Sequence, residues 1–402
     1  MEVSRPLSAG SWQLDPAVVL LNHGSFGACP LPVLERQTEL RAHMEAEPVR
    51  FLVRQLPSLL DRARAALADM LGAKTENLVF VSNATAGVNA VVRSLRLRPG
   101  DELLLTNHGY NACCNAVRYV AQREAATVVV ADVPVPIESP EQFGEALLSR
   151  VTARTRLAVI DHITSPTAVV LPIADLVQRL QSLGVDVLVD GAHAPGMVPL
   201  NLERLGAAYY VGNLHKWLCG PKGSGFLYVR GDRQQGVQPP VISHGYNQPR
   251  SDHTRFQDAF DWQGTVDPTP WLCVSAAIEF LAGVLPDGLT GLMERNRQLA
   301  IAVRRLLCRR LPLRPICPET MLGSMAAMVF EGEPQEPLTA DPLAEPPLPR
   351  LGRRLLEECG IEVPVYYWPA SPQSILRISA HAYNYLDQYA NLAERIDALF
   401  RQ

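Results

Sequence analysis

The sequence predicts an α/β fold: a large unit on a mostly parallel mixed sheet, followed by a smaller α+β unit. Three observations predict it. From about residue 77 to 229, short β-rich runs alternate with longer amphipathic ones, the pattern of strands joined by crossover helices. Several β-rich runs are continuously apolar, as in strands covered on both faces. After Gly264 the alternation stops and two long helical runs lead into a mixed segment. A chain of 402 residues also outgrows one simple core.

In chain order, residues 1–20 read as an N-terminal arm, and the first 60 or so residues are expected to wrap across both units. The large unit spans 21–265. Its strands are expected at 78–82, 102–106, 127–131, 156–161, 185–190, 209–212 and 225–229, with helices at 112–123, 141–150 and 172–183 between them. The small unit spans 266–402. Helices are expected at 271–285, 289–311, 350–359 and 386–402, and strands at 325–331 and 361–366. Residues 331–349 are rich in proline and acidic residues without apolar period, so they read as a surface loop.

Composition excludes several classes. The chain is 47% hydrophobic and 19% charged, with a net charge of -4. That balance argues against nucleic acid as a partner. Arg304-Arg305 and Arg309-Arg310 have helix spacing and read as a solvated face. No apolar run approaches the roughly 20 residues of a membrane helix, and residues 1–16 lack the apolar stretch of a signal peptide. The eight cysteines include no C-x-x-C pair and no zinc spacing. They suggest free thiols in a reducing cytoplasm, and no metal site is expected.

The chemistry centres on Val187-Leu-Val-Asp190-Gly-Ala-His193 and Gly212-Asn-Leu-His215-Lys216-Trp. Lys216 lies among Leu214, Trp217 and Leu218, before the glycine run 220–225. Partial burial lowers a lysine's pKa and frees its amine as a nucleophile. Lysines are few, and Lys222 in the glycine run is the competing candidate. Asp190 ends a strand at the edge where α/β sites form. It reads either as a turn carboxylate or as the partner of a pyridine nitrogen. His193 is either structural or a hydrogen-bond partner of the ring's phenolic oxygen. Together a strand-end acid and a lysine are the minimum apparatus for pyridoxal phosphate.

A phosphate needs N–H donors at a helix start. Ala84 and Thr85 supply one after the first sheet strand, with Asn213 and His215 as further candidates. In Asn107-His108-Gly-Tyr110, His108 is favoured over Tyr110 as the ring-stacking and catalytic group. Ser165 or Thr167, after Asp161-His162, is placed to touch ring oxygen or substrate. Asn22 and His23, in a polar glycine turn, join Ser165 as substrate-binding candidates. Arg377, on a strand, is either a surface ion pair or a fork for a substrate carboxylate.

These motifs resemble the class V aminotransferase family of fold-type I pyridoxal-phosphate enzymes, and within it the isopenicillin N epimerase group. The resemblance covers nearly the whole chain. It rests on Leu21-Asn-His-Gly-Ser-Phe-Gly, Glu47-Pro-Val-Arg-Phe-Leu-Val-Arg-Gln55, Val189-Asp-Gly-Ala-His-Ala-Pro, Gly212-Asn-Leu-His-Lys-Trp, Gly264-Thr-Val-Asp-Pro and the segment from Arg377 to Asn384. It implies a fold-type I architecture and a cofactor, pyridoxal 5'-phosphate, held by Lys216 as a Schiff base. Asp190 then pairs with the pyridine nitrogen and His193 lies near the ring oxygen. Ala84, Thr85, Asn213 and His215 hold the phosphate, His108 stacks on the ring and Arg377 takes the substrate carboxylate. It also implies a homodimer in which Thr265 reaches the neighbouring subunit's phosphate.

The expected activity is epimerisation at the α-carbon of an amino acid or an amino-acid-containing peptide. Cysteine C–S lysis and transamination are the alternatives, because the family runs several reactions on one site. Epimerisation needs a second acid–base group, for which His23, His108 and Tyr110 are candidates. Persulfide-forming desulfurase chemistry is disfavoured, since residues 362–374 contain no cysteine. A non-catalytic regulator is disfavoured too, as no DNA-binding domain is visible.

Overall fold

The computed structural model describes residues 7, 9–332, 349–369 and 373–401. The expected loop at 331–349 therefore falls almost wholly outside the described residues. A short strand, β1 (Val19–Leu20), pairs in parallel with β11 (Ile361–Glu362). Leu7 N–H bonds Ala382 O at 2.7 Å, and the Trp12 ring meets His381 and Tyr383 edge-on. The N-terminal residues thus pack on the C-terminal part of the chain. The helix Leu56–Leu71 packs on the first strand of the large sheet.

That sheet holds seven strands: β2 (Leu78–Val81), β3 (Glu102–Thr106), β4 (Thr127–Ala131), β5 (Thr155–Asp161), β6 (Asp186–Asp190), β7 (Tyr209–Asn213) and β8 (Gly225–Val229). Their order is β2-β8-β7-β6-β5-β3-β4. β8 runs antiparallel to both its neighbours and the remaining pairs are parallel. It follows that β2, β3, β5, β6 and β7 all end at one sheet edge, where α/β sites form. The expected strands agree with those found to within a residue at each end.

Apolar residues cover both faces of this sheet. One core cluster, including Val79, Leu103, Leu188 and Val211, lies beneath the helices Ala84–Ser94 and Asn111–Arg123. The larger cluster, on the other face, continues into the C-terminal region as far as Ile396. There β12 (Val365–Tyr367), β13 (Gln373–Ser379), β10 (Met325–Glu331) and β9 (Arg314–Pro315) form an antiparallel sheet in that order. The helices Gly288–Arg310 and Leu386–Phe400 accompany it.

Two expectations are corrected. The single strand expected at 361–366 is two strands, β11 and β12, because Pro364 has no N–H to give a ladder. The run 271–285 is two helices, Thr269–Leu272 and Val274–Ala282, interrupted at Cys273. The helix Leu31–Ala46 was not expected. It buries only Val33, Gln37 and Leu40, so it carries almost no apolar stripe to read.

Candidate active site

A cavity of about 380 Å³ opens at the shared sheet edge. Lys216, Asp190, His193, Asn213 and His215 line it, as do Ala84, Thr85 and Ser165. Eight candidates from distant strand ends thus meet in one place.

Lys216 is 8% exposed, and its Nζ lies 3.0 Å from His193 Nε2. Burial, helped by Arg377, brings the amine's pKa down to about 8, against the pull of Asp190. His193 is held well below 6.5, first by burial and then by Lys216. Lys222 is exposed and its Nζ donates to Gly27 O at 2.9 Å, away from the cavity.

Asp190 ends β6 and is 3% exposed. The Ala192 N–H donates to its Oδ1 at 3.0 Å, and the Cys113 S–H donates to its Oδ2 at 3.0 Å. Asp161 ends the neighbouring strand in direct register with Asp190 and lines the same cavity. Burial, then the charge on Asp190, raises the Asp161 carboxyl well above its ordinary 3.8.

At the other end of the cavity, the helix Ala84–Ser94 begins where β2 stops. Asn83 caps it by accepting the Ala86 N–H at 2.9 Å, and Asn213 Oδ1 accepts the Ala84 N–H at 2.8 Å. Ala84 and Thr85 of the first turn line the cavity and turn the positive end of the helix dipole toward it. His215 donates from Nδ1 to Ser224 O at 3.1 Å; burial lowers its pKa to about 4.

Arg377 is 1% exposed and sits behind the wall. Its Nη2 donates to Ser25 Oγ at 3.0 Å and Asn22 Oδ1 at 3.3 Å, and its Nη1 donates to Ser165 O. Its guanidinium lies over the Tyr366 ring at 5.5 Å. Nε has no hydrogen-bond partner, and no carboxylate pairs with this cation among the described residues. A buried guanidinium without a counter-charge is costly, and a carboxylate ligand relieves that cost.

Some candidates stand elsewhere. His108 does not line the cavity; its ring nitrogens bond Thr167 Oγ1 at 2.8 Å and Val133 O at 3.3 Å. Tyr110, two residues on, lines it instead. The turn at Gly109, whose N–H bonds Thr106 O, sends the two side chains different ways. Thr167 is likewise buried against His108, whereas Ser165 faces the cavity. His23 is fully buried beneath Lys216, with Nδ1 2.8 Å from Tyr383 Oη and Nε2 3.0 Å from Lys216 O. It has no face on the cavity. Asn22 does not line the cavity and reaches it through Arg377 and through Ser25, whose Oγ donates to Asn22 Oδ1 at 2.6 Å. Thr265 is exposed and lines no part of this cavity.

Sequence reasoning missed Ser25, Phe26, Asn83 and Asp161 as wall residues and Cys113 as a partner of Asp190. Asp161 carried a readable signal, a second strand ending in a carboxylate. A buried His23, Cys219 and His381 cluster was also missed. The two imidazoles stack at 3.9 Å and 16°. Both rings bring Nε2 to Cys219 Sγ, at 3.8 Å for His23 and 3.4 Å for His381.

The donors fit one kind of ligand. A helix start suits a phosphate, a buried acid suits a ring nitrogen, and a neutralisable lysine between them suits an aldehyde. Comparisons with known proteins agree. The aminotransferase class-V family model matches residues 20–316. Isopenicillin N epimerase from Amycolatopsis lactamdurans is 38% identical over 398 residues, covering 96% of each chain. A probable chloroplastic L-cysteine desulfhydrase from Arabidopsis thaliana is 28% identical, covering 96% of this chain and 84% of that one. A solved mutant of C-DES, with glycine covalently linked to its PLP cofactor, superposes with a TM-score of 0.78 at 22% identity, covering 94% of this chain and 96% of that one. The chain belongs to the class V aminotransferase family and is a fold-type I, pyridoxal-phosphate-dependent enzyme.

Proposed function

We propose that this enzyme is isopenicillin-N-epimerase-like and inverts the α-carbon of an amino acid or an amino-acid-containing peptide. The observation that carries the reading is the 38% identity to isopenicillin N epimerase along 96% of both chains. When bound, the cofactor supplies an electron sink for the α-carbon. Lys216 supplies the amine that would hold its aldehyde and serve as the base for the α-proton. Asp190 would pair with the ring nitrogen, and His193 with the phenolic oxygen. Ala84, Thr85, Asn213 and His215 hold the phosphate. Arg377, with Ser165, Asn22 and Ser25 around it, takes the substrate carboxylate.

Inversion needs a second acid–base group. Of His23, His108 and Tyr110, Tyr110 alone lines the cavity, so it takes this role or the stacking role first given to His108. Cysteine C–S lysis is the second reading, supported by the likeness to the desulfhydrase. It needs one base only.

A homodimer is part of the proposal, with Thr265 reaching the partner's phosphate. Exposure of Phe26 (73%) at the cavity wall, and of Val49 (67%) and Val53 (67%) in the same N-terminal segment, supports a covered face. Eight free cysteines support a reducing, cytoplasmic setting. No helix among the described residues is long and apolar enough to cross a membrane. Two structural units, divided near residue 265 and each centred on one sheet, complete the reading.

The test is spectroscopic and chemical. The purified protein should absorb in the visible and lose that band with borohydride, and Lys216→Ala should abolish the reducible linkage. In deuterated water, a substrate amino acid should gain deuterium at Cα and racemise without breakdown. Sulfide and pyruvate from L-cysteine would instead establish the lyase.

A further inference from the structure

Trp217 follows Lys216 in sequence and is 1% exposed, with its ring turned toward His193. Its indole Nε1–H donates to His193 Nδ1 at 3.3 Å. An indole N–H can only donate, so Nδ1 carries a lone pair. A neutral imidazole then carries its proton on Nε2. That nitrogen is the one 3.0 Å from Lys216 Nζ. An ammonium has no lone pair, so Nε2–H against a charged lysine would set donor against donor. The network closes when Lys216 is a free amine accepting from Nε2–H.

We propose that Trp217 is a positioning residue. Its indole N–H fixes His193 in the Nε2–H tautomer. That tautomer keeps Lys216 as a free amine and holds an N–H ready for an anionic oxygen in the cavity. The inference rests on the function proposed above only for the identity of that oxygen, the cofactor's phenolate.

Other charges bear on the pair. Arg377 opposes charge on Lys216, while Asp190, Cys113 and Asp161 favour it. Lys216, Arg377, His215 and His23 all oppose charge on His193. Burial acts the same way on both, and the tautomer adds a directional constraint that burial alone lacks.

The experiment is competitive acetylation with acetic anhydride across a pH series, on protein stripped of bound aldehyde. Lys222 serves as the internal reference and labelled peptides are read by mass spectrometry. Wild-type Lys216 should titrate near 8. Trp217→Phe should move that midpoint upward by about one unit, a roughly tenfold loss of free amine at pH 7. His193→Gln should remove the dependence, so that adding Trp217→Phe to it shifts nothing further. An unchanged midpoint in folded Trp217→Phe overturns the proposal. If that variant does not fold, the wild-type protein decides: histidine ¹⁵N shifts showing His193 as the Nδ1–H tautomer or as imidazolium at neutral pH also overturn it. Neither readout requires the cofactor. Failure to bind pyridoxal phosphate would sink the functional reading and leave this one standing.

Discussion

Asp161 and Asp190 put two buried carboxyl groups at the end of adjacent strands. Both cannot ionise cheaply there. The raised Asp161 carboxyl gives a signed prediction. Its unfolded form ionises near 3.8 and its folded form only well above that. Stability is therefore lost as pH rises from about 4 through the folded value. Asp161→Asn removes the loss. The variant should melt above wild type at pH 8, by about 1 °C for each kcal/mol relieved, and match it below pH 4. Melting curves at the two pH values check this, and an equal gap at both would refute it. Arg377 makes a second prediction. Arg377→Lys loses the fork geometry, and substrate kcat/KM should fall about 10–100-fold, with the visible band of bound cofactor retained. Asn22 and Arg377 were both legible as types, but not as neighbours. Asn22 and Arg377 lie 355 positions apart, and no local pattern announces that pairing. His108 and Tyr110 show the opposite limit. They are two positions apart, and only the backbone path at Gly109 decides which one faces the cavity.

The turn from Asn22 to Gly27 acts as one element. His23 holds Lys216 O, Gly24 N–H bonds Ser379 Oγ at 3.0 Å, and Ser25 holds Arg377. It joins the lysine's backbone to the strand that carries the arginine. Gly27 closes it at φ +71°, and a Cβ there would lie 2.0 Å from His215 O and 2.9 Å from Lys216 Cα. Gly27→Ala therefore meets both a left-handed backbone, costing about 1 kcal/mol or more, and a backbone clash. It should lower the denaturation midpoint and release bound cofactor, as followed by fluorescence and visible absorbance. Full retention of both would refute the coupling. The strands of the large sheet were legible because burial on both faces leaves continuous apolar runs. The helix Leu31–Ala46 was not, because its surface is mostly wetted.

For the whole molecule, the exposed apolar side chains, one of them beside the cavity, point to a partner. Phe26 stands at its wall at 73% exposure, and Val49 and Val53 are each 67% exposed. Isolated exposed apolar residues are common, but three large ones within residues 26–53 favour a second copy. Val49→Asp with Val53→Asp should give a monomer by sedimentation and weaken cofactor retention, because Thr265 of a neighbour would be withdrawn. A dimer that survives both charges would refute this face as the interface.

The sequence alone determined the layer architecture, the strand-end carboxylate, the lysine and the family, since periodicity, burial and motif are properties of short segments. The tertiary structure decided which side chains meet. It put His23 under the lysine, His108 behind the wall and Tyr110 on it, and it set Trp217 against His193. Those choices depend on distances between segments from 24 to 193 residues apart and on the direction of single side chains, and neither is encoded in a local pattern.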